Sequence, residues 1–135
     1  MFDIGYQIDE LISNREISRK LKCGIMGGIR YSNANNAIAL FIGMRGNFEN
    51  IVKDSTIKYM GTGKGDQTLD NIRNYRLAMA NENNTAIYLF KWVGEDKCRY
   101  LGQVKLVEAP AFEKRINEVG EEETKIFYKL KFMDK

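Results

Sequence analysis

The sequence predicts an α+β fold: a strongly bent antiparallel sheet closing toward a β-barrel, with two short helices outside it. Three observations carry that expectation. Short β-rich segments recur along the chain, only two stretches have helical character, and the breaks between them are marked by glycine, asparagine and aspartate. A length of 135 residues suits one compact domain, residues 1–135, with a core of its own.

Taken in order, Ser13, Asn14, Arg15 and Glu16 form a capping-box pattern, which predicts a helix running to about Lys22 and ended by Gly24, Gly27 and Gly28. Residues 37–42, Ala-Ile-Ala-Leu-Phe-Ile, are a continuous apolar run between Asn-Asn and Gly-Met-Arg-Gly, the pattern of a strand buried on both faces. A polar loop is expected over 43–55. Residues 56–60 then read as a short strand, with Lys58 alternating against Ile57 and Tyr59. A second helix of two or three turns is expected within 71–81, stopped by Asn-Glu-Asn-Asn. Residues 85–93 and 99–107 are β-rich and separated by Gly-Glu-Asp-Lys, which predicts an antiparallel hairpin. The acidic stretch 113–123 reads as a solvated loop. Residues 126–132 alternate apolar side chains against Lys129 and Lys131, a last strand with one wet face.

Composition narrows the chemistry. The chain has no histidine, and so lacks the commonest general base and the commonest metal ligand. Its acids are scattered, with no pair on the pattern of a magnesium-dependent nuclease. A noncatalytic protein without metal or cofactor is therefore expected. Cys23 and Cys98 are far apart and lack zinc-site or disulfide-framework spacing, so reduced, structural thiols are expected. The start shows no basic-then-apolar export signal, and no apolar run is long enough for a membrane span; a cytoplasmic protein is expected.

The net charge of +3 conceals a polarity along the chain. Residues 11–80 hold eleven Lys and Arg against five Asp and Glu, whereas 108–123 hold six acids against two bases. A basic N-terminal half suits a polyanion such as nucleic acid, whose phosphates reward scattered cations through counterion release. The same charges also serve as an ordinary solvated surface.

Within that half, residues 59–67 read Tyr-Met-Gly-Thr-Gly-Lys-Gly-Asp-Gln. Glycines at 61, 63 and 65 let backbone approach a ligand or take φ > 0, and Tyr59 offers a flat aromatic face. The segment reads as a binding-site wall. A phosphate-cradling loop of a small-ligand or nucleotide-processing enzyme is the alternative from another class, but such loops place their glycines at a helix N-terminus and follow them with Lys-Ser/Thr.

Five blocks in order carry a family resemblance: Arg15-Glu16-Ile17, Gly27-Gly28-Ile29, Phe48-Glu49, the whole of 59–67, and Leu101-Gly102-Gln103-Val104. Over residues 13–107 the chain resembles the SRA (SET- and RING-associated, or YDG) domains, in particular those joined to HNH nucleases in bacterial modification-dependent restriction enzymes. The resemblance implies a PUA/SRA-like barrel and a reader of modified cytosine, 5-methylcytosine or 5-hydroxymethylcytosine, in double-stranded DNA. Such a reader flips the base out and holds it between two aromatic rings. Extrusion costs a few kcal/mol, and each base–aromatic stack returns about 1–3 kcal/mol.

Carried over by position, Tyr59 and Phe48 are the two implied rings, and Gly61 and Thr62 line the pocket with backbone N–H groups and a hydroxyl. Where the family usually places an aspartate that accepts from the cytosine N4 amine, this chain has Glu49 and Asn50. Asn50 can both accept and donate, and Glu49 can supply a carboxylate. Met60 stands where threonine is common, giving a more apolar wall. Arg30, Arg45, Lys53, Lys58 and Lys64 are the implied contacts to phosphate or to the gap left by the flipped base. Asp66 and Gln67 are expected to tie the glycine segment to its neighbours. Without histidine no HNH motif is present, so cleavage would need a separate nuclease domain or partner. Readers of another modified base or of RNA are the alternatives within the same broad fold.

Overall fold

A computed structural model describes residues 2–43, 50–53 (backbone only) and 55–133. The elements, in chain order, are β1 (Leu11–Ser13), α1 (Asn14–Leu21), β2 (Ile29–Ser32), β3 (Ala37–Ile42), β4 (Asn50–Lys53), β5 (Thr56–Met60), α2 (Ile72–Ala78), β6 (Ala86–Gly94), β7 (Lys97–Leu106), β8 (Ala111–Ile116) and β9 (Glu122–Phe132). The strands form one sheet ordered β2-β3-β6-β7-β9-β5-β4, with β1 beside β7 and β8 beside β9. It curls into a half-barrel flanked by the two helices, the α+β architecture expected.

The predicted elements have clear local causes. Ser13 caps α1, its hydroxyl accepting from the Glu16 N–H at 3.0 Å. The helix ends on Lys22 in the left-handed region, φ 63°, two residues before the first of the glycines that mark the stop in the sequence. Asn71 caps α2 by accepting from the N–H groups of Arg73 and Asn74. Strands β6 and β7 form the expected antiparallel hairpin, turning through Glu95 and Asp96.

Every residue of β3 is buried because two apolar layers meet on it. On its inner face Ile38, Leu40 and Ile42 join the barrel core with Tyr59, Leu89, Tyr128 and Leu130. On its outer face Ala37, Ala39 and Phe41 meet Ile17 and Leu21 of α1, with Tyr88, Phe90 and Tyr100. Cys98 lies in this second layer, and burial pushes its thiol up to about 11; it and Cys23 are both free.

The structure differs from expectation in three places. The sheet is not wholly antiparallel, since β3 runs parallel to β6, a pairing reached by a crossover through β4, β5 and α2. The expected loop 43–55 contains strand β4, paired with β5. The expected acidic loop 113–123 is mostly the β8–β9 hairpin, where Glu113 faces Lys125 and Arg115 faces Glu123 across the ladder. Opposite charges on neighbouring strands let an acidic segment hold β structure.

Candidate functional site

The glycine segment leaves the end of β5 and crosses in front of β9, and two buried amides fix its path. Gln67, 3% exposed, donates from Nε2 to the carbonyls of Gly61 (2.8 Å) and Gly63 (3.1 Å), while its Oε1 accepts from the Ile126 N–H at 2.9 Å. Asn74 of α2 is wholly buried. Its Oδ1 accepts from the Thr62 N–H at 2.8 Å, and its Nδ2 donates to the Thr62 and Thr68 carbonyls at 2.9 and 3.2 Å. Asp66 accepts from the Thr124 N–H, and Lys125 donates to the Gly65 carbonyl. Buried amide side chains here replace the ladder partners that an irregular backbone lacks.

These bonds decide what the segment can offer a ligand. The Gly61 N–H donates to the Ile126 carbonyl at 2.7 Å and the Thr62 N–H to Asn74, so neither of the two donors expected to line a pocket is free to do so. Both groups hold the wall in place. The segment does not sit at a helix N-terminus either, because α2 begins at Ile72, beyond Asp66 and Gln67.

Tyr59 is likewise enclosed. Its side chain is 3% exposed within the barrel core, and its hydroxyl donates to the carbonyls of Gly28 (2.9 Å) and Phe41 (3.1 Å). The side chain thus crosses the interior of the half-barrel, tying β5 to the opposite edge beside β2 and β3. Burial holds its phenol well above the usual range, which keeps it a neutral donor. Met60 beside it is buried at 5%.

Asn50 opens β4 and is the ladder partner of Tyr59, so the topology brings the start of β4 alongside the tyrosine. Phe48, Glu49 and Arg45 lie outside the described residues, as do the side chains of Asn50 and Lys53. Of the other expected phosphate contacts, Lys64 is exposed on the glycine segment. Lys58 is turned to the outer face, 3.2 Å from the Glu113 carboxylate and over the Phe127 ring.

Arg30 is enclosed as well. It is 3% exposed, with its guanidinium 4.0 Å above the Phe41 ring and near Trp92, and burial pulls its pKa down. So enclosed, it is not an open surface cation. It works instead on the loop between α1 and β2, donating from Nε to the Gly27 carbonyl at 2.9 Å and from Nη1 to Asn14 Oδ1. Asn14 in turn donates to the Ile25 carbonyl at 3.1 Å, and Arg73 of α2 approaches the Met26 carbonyl at 3.4 Å.

Three consecutive carbonyls are therefore held by side chains from three elements, while the Ile25 and Met26 side chains stand in solvent, Met26 at 74% exposure. Sequence reading missed this tip; its signal is the pair Ile25-Met26 set between glycines at 24, 27 and 28. Gly27 is needed there, since its φ is +93° and a Cβ would lie 2.0 Å from Arg73 Nη1.

The same architecture occurs in solved structures. The chain matches the sulfur-binding and SRA domains of ScoMcrA complexed with phosphorothioated DNA at a TM-score of 0.69 and 19% identity, over 93% of this chain and 39% of that one. It matches the DNA recognition domain of the cytosine modification-dependent restriction endonuclease LpnPI at 0.72 and 16%, covering 91% of this chain and 71% of the other. Against the SRA domain of SUVH5 in complex with hemimethylated CG DNA the values are 0.71 and 15%, over 97% and 91%. The chain has the SRA fold. No protein-family model matches the sequence, and no curated protein is significantly similar to it.

Proposed function

We propose that this chain is a noncatalytic DNA-binding module that selects a modified cytosine, 5-methylcytosine or 5-hydroxymethylcytosine, and serves as the recognition part of a modification-dependent restriction system. The observation that carries the reading is the ladder pairing of Asn50 with Tyr59 in an SRA fold, which sets the start of β4 beside a tyrosine of fixed orientation. A flipped base would enter between them. Phe48 supplies the facing ring and Glu49 or Asn50 the polar edge contact, and Tyr59 forms the rigid rear of the pocket with Met60, Gly61 and Thr62 behind and beside it.

The loop tip supports base flipping by a second route. An apolar side chain inserted between base steps unstacks the duplex, and Met26 presents a flexible, polarisable side chain on backbone held by Asn14, Arg30 and Arg73. Lys64, Arg45 and Lys53 remain proposed phosphate contacts, which set affinity while the pocket sets selectivity.

Gel-shift titrations of matched duplexes carrying cytosine, 5-methylcytosine or 5-hydroxymethylcytosine test this directly. A preference of at least about 1 kcal/mol, roughly fivefold, is expected for one modified duplex. Phe48→Ala is expected to erase the preference and leave the salt-dependent background. Equal affinity of the wild-type protein for all three duplexes would overturn the proposal. Arg45→Ala and Lys53→Ala should weaken binding to every duplex alike and make the salt slope shallower, by about 0.9 per phosphate no longer neutralised.

A further inference from the structure

We infer that the cleft between the loop tip and α2 is a second DNA-contact surface, on which Arg73 and Arg76 take phosphodiester groups of the strand and Ile72, facing Met26, covers the adjoining sugars. The inference rests on the reading above and assigns it residues outside the glycine segment and the pocket. Residues 73 and 76 are three apart on a helix, so both side chains leave the same face. The cleft that they border is lined by Arg30 and Tyr31 at its base and by Met26 and Ile72 at its rims, with no acid among the lining residues.

Neither arginine has a carboxylate within salt-bridge distance among the described residues. Arg73 spends one nitrogen on the long contact to the Met26 carbonyl and lies over Gly27. The Arg76 guanidinium sits 4.3 Å above the Tyr31 ring, and its buried Nε has no hydrogen-bond partner. The ring contact holds that guanidinium without neutralising it, which leaves its charge for a phosphate oxygen. The rims are apolar and exposed, Met26 at 74% and Ile72 at 60%. Paired cations between exposed apolar edges match the charged backbone and apolar sugar faces of a nucleic-acid strand, and the stack prepared by Tyr31 costs the binding step less side-chain entropy.

Salt-dependent titration of the modified and unmodified duplexes tests the assignment. Arg76→Gln and Arg73→Gln are each expected to weaken binding several-fold on all duplexes, and the double variant to make the log–log salt slope shallower by about 2. Arg76→Lys, which keeps the charge, should keep the slope. Ile72→Glu changes an exposed rim side chain and should weaken every duplex without lowering the melting temperature, so the inference stays exposed to failure if the arginine variants fold poorly. Wild-type discrimination with unchanged slope and affinity in the double variant, or in Ile72→Glu, would remove this inference alone. A wild-type protein that binds no duplex at low salt would remove it together with the reading on which it rests.

Discussion

Replacing Asn74 with leucine is expected to lower folding stability by about 3–4 kcal/mol. The side chain is wholly buried, and its amide is the partner of the Thr62 N–H and of the Thr62 and Thr68 carbonyls. Leucine is nearly the same size, so a cavity does not explain the loss. Three backbone groups lose their partner in a space that excludes water, and each unsatisfied group costs about 1–3 kcal/mol before local relaxation recovers part of it. Asn74→Asp should be no better. It keeps an acceptor for the Thr62 N–H but turns a buried carboxylate toward two carbonyl oxygens. Urea unfolding monitored by the single tryptophan, Trp92, reads the difference as a shift of midpoint at constant slope. An Asn74→Leu protein within about 1 kcal/mol of wild type would mean that the glycine segment is not held by this amide.

The same residue shows what the sequence conceals. Asn74 lies in a helix whose polar residues read as solvent-facing, and only the tertiary fold reveals that it replaces a missing strand. Gln67 was legible in part, because its place directly after the glycines pointed to a tie between the segment and its neighbours. Strand β3 was legible in full, since six consecutive apolar residues between turn signals have no other low-energy place than a two-sided core. The acidic hairpin was not. Its register sets Glu113 against Lys125 and Arg115 against Glu123, and composition alone cannot show which charges will face each other. The surroundings of Arg30 were hidden for a related reason. A lone arginine beside a glycine loop looks like a surface cation until Phe41 from β3 and Trp92 from β6 converge on it from distant parts of the chain. Local periodicity thus exposes elements, while the residues that shape the site depend on packing made across the sheet.

Tyr59 separates stability from recognition most sharply, because its ring and its hydroxyl do different things. Tyr59→Ala removes a buried aromatic from the barrel core and is expected to cost about 3–5 kcal/mol, so its loss of DNA binding would report unfolding rather than selectivity. Tyr59→Phe keeps the ring and loses only the bonds to the Gly28 and Phe41 carbonyls, a loss of about 1 kcal/mol in stability. Once those bonds are gone the ring is no longer tied to the opposite edge of the half-barrel, and under the proposed function the rear of the pocket would gain freedom that a bound base must remove. The preference for the modified duplex is therefore expected to fall by about threefold, roughly 0.6 kcal/mol, with affinity for the unmodified duplex and the salt slope both unchanged. Gly28→Ala approaches the same hydroxyl from the other side, since its Cβ would lie 2.9 Å from the tyrosine oxygen, and should produce the same pattern. Two substitutions on distant segments that converge on one loss of discrimination would place the orienting role in the Tyr59 hydroxyl. A Tyr59→Phe protein that discriminates as well as wild type would assign the hydroxyl to stability alone and leave selection to the segment around Phe48.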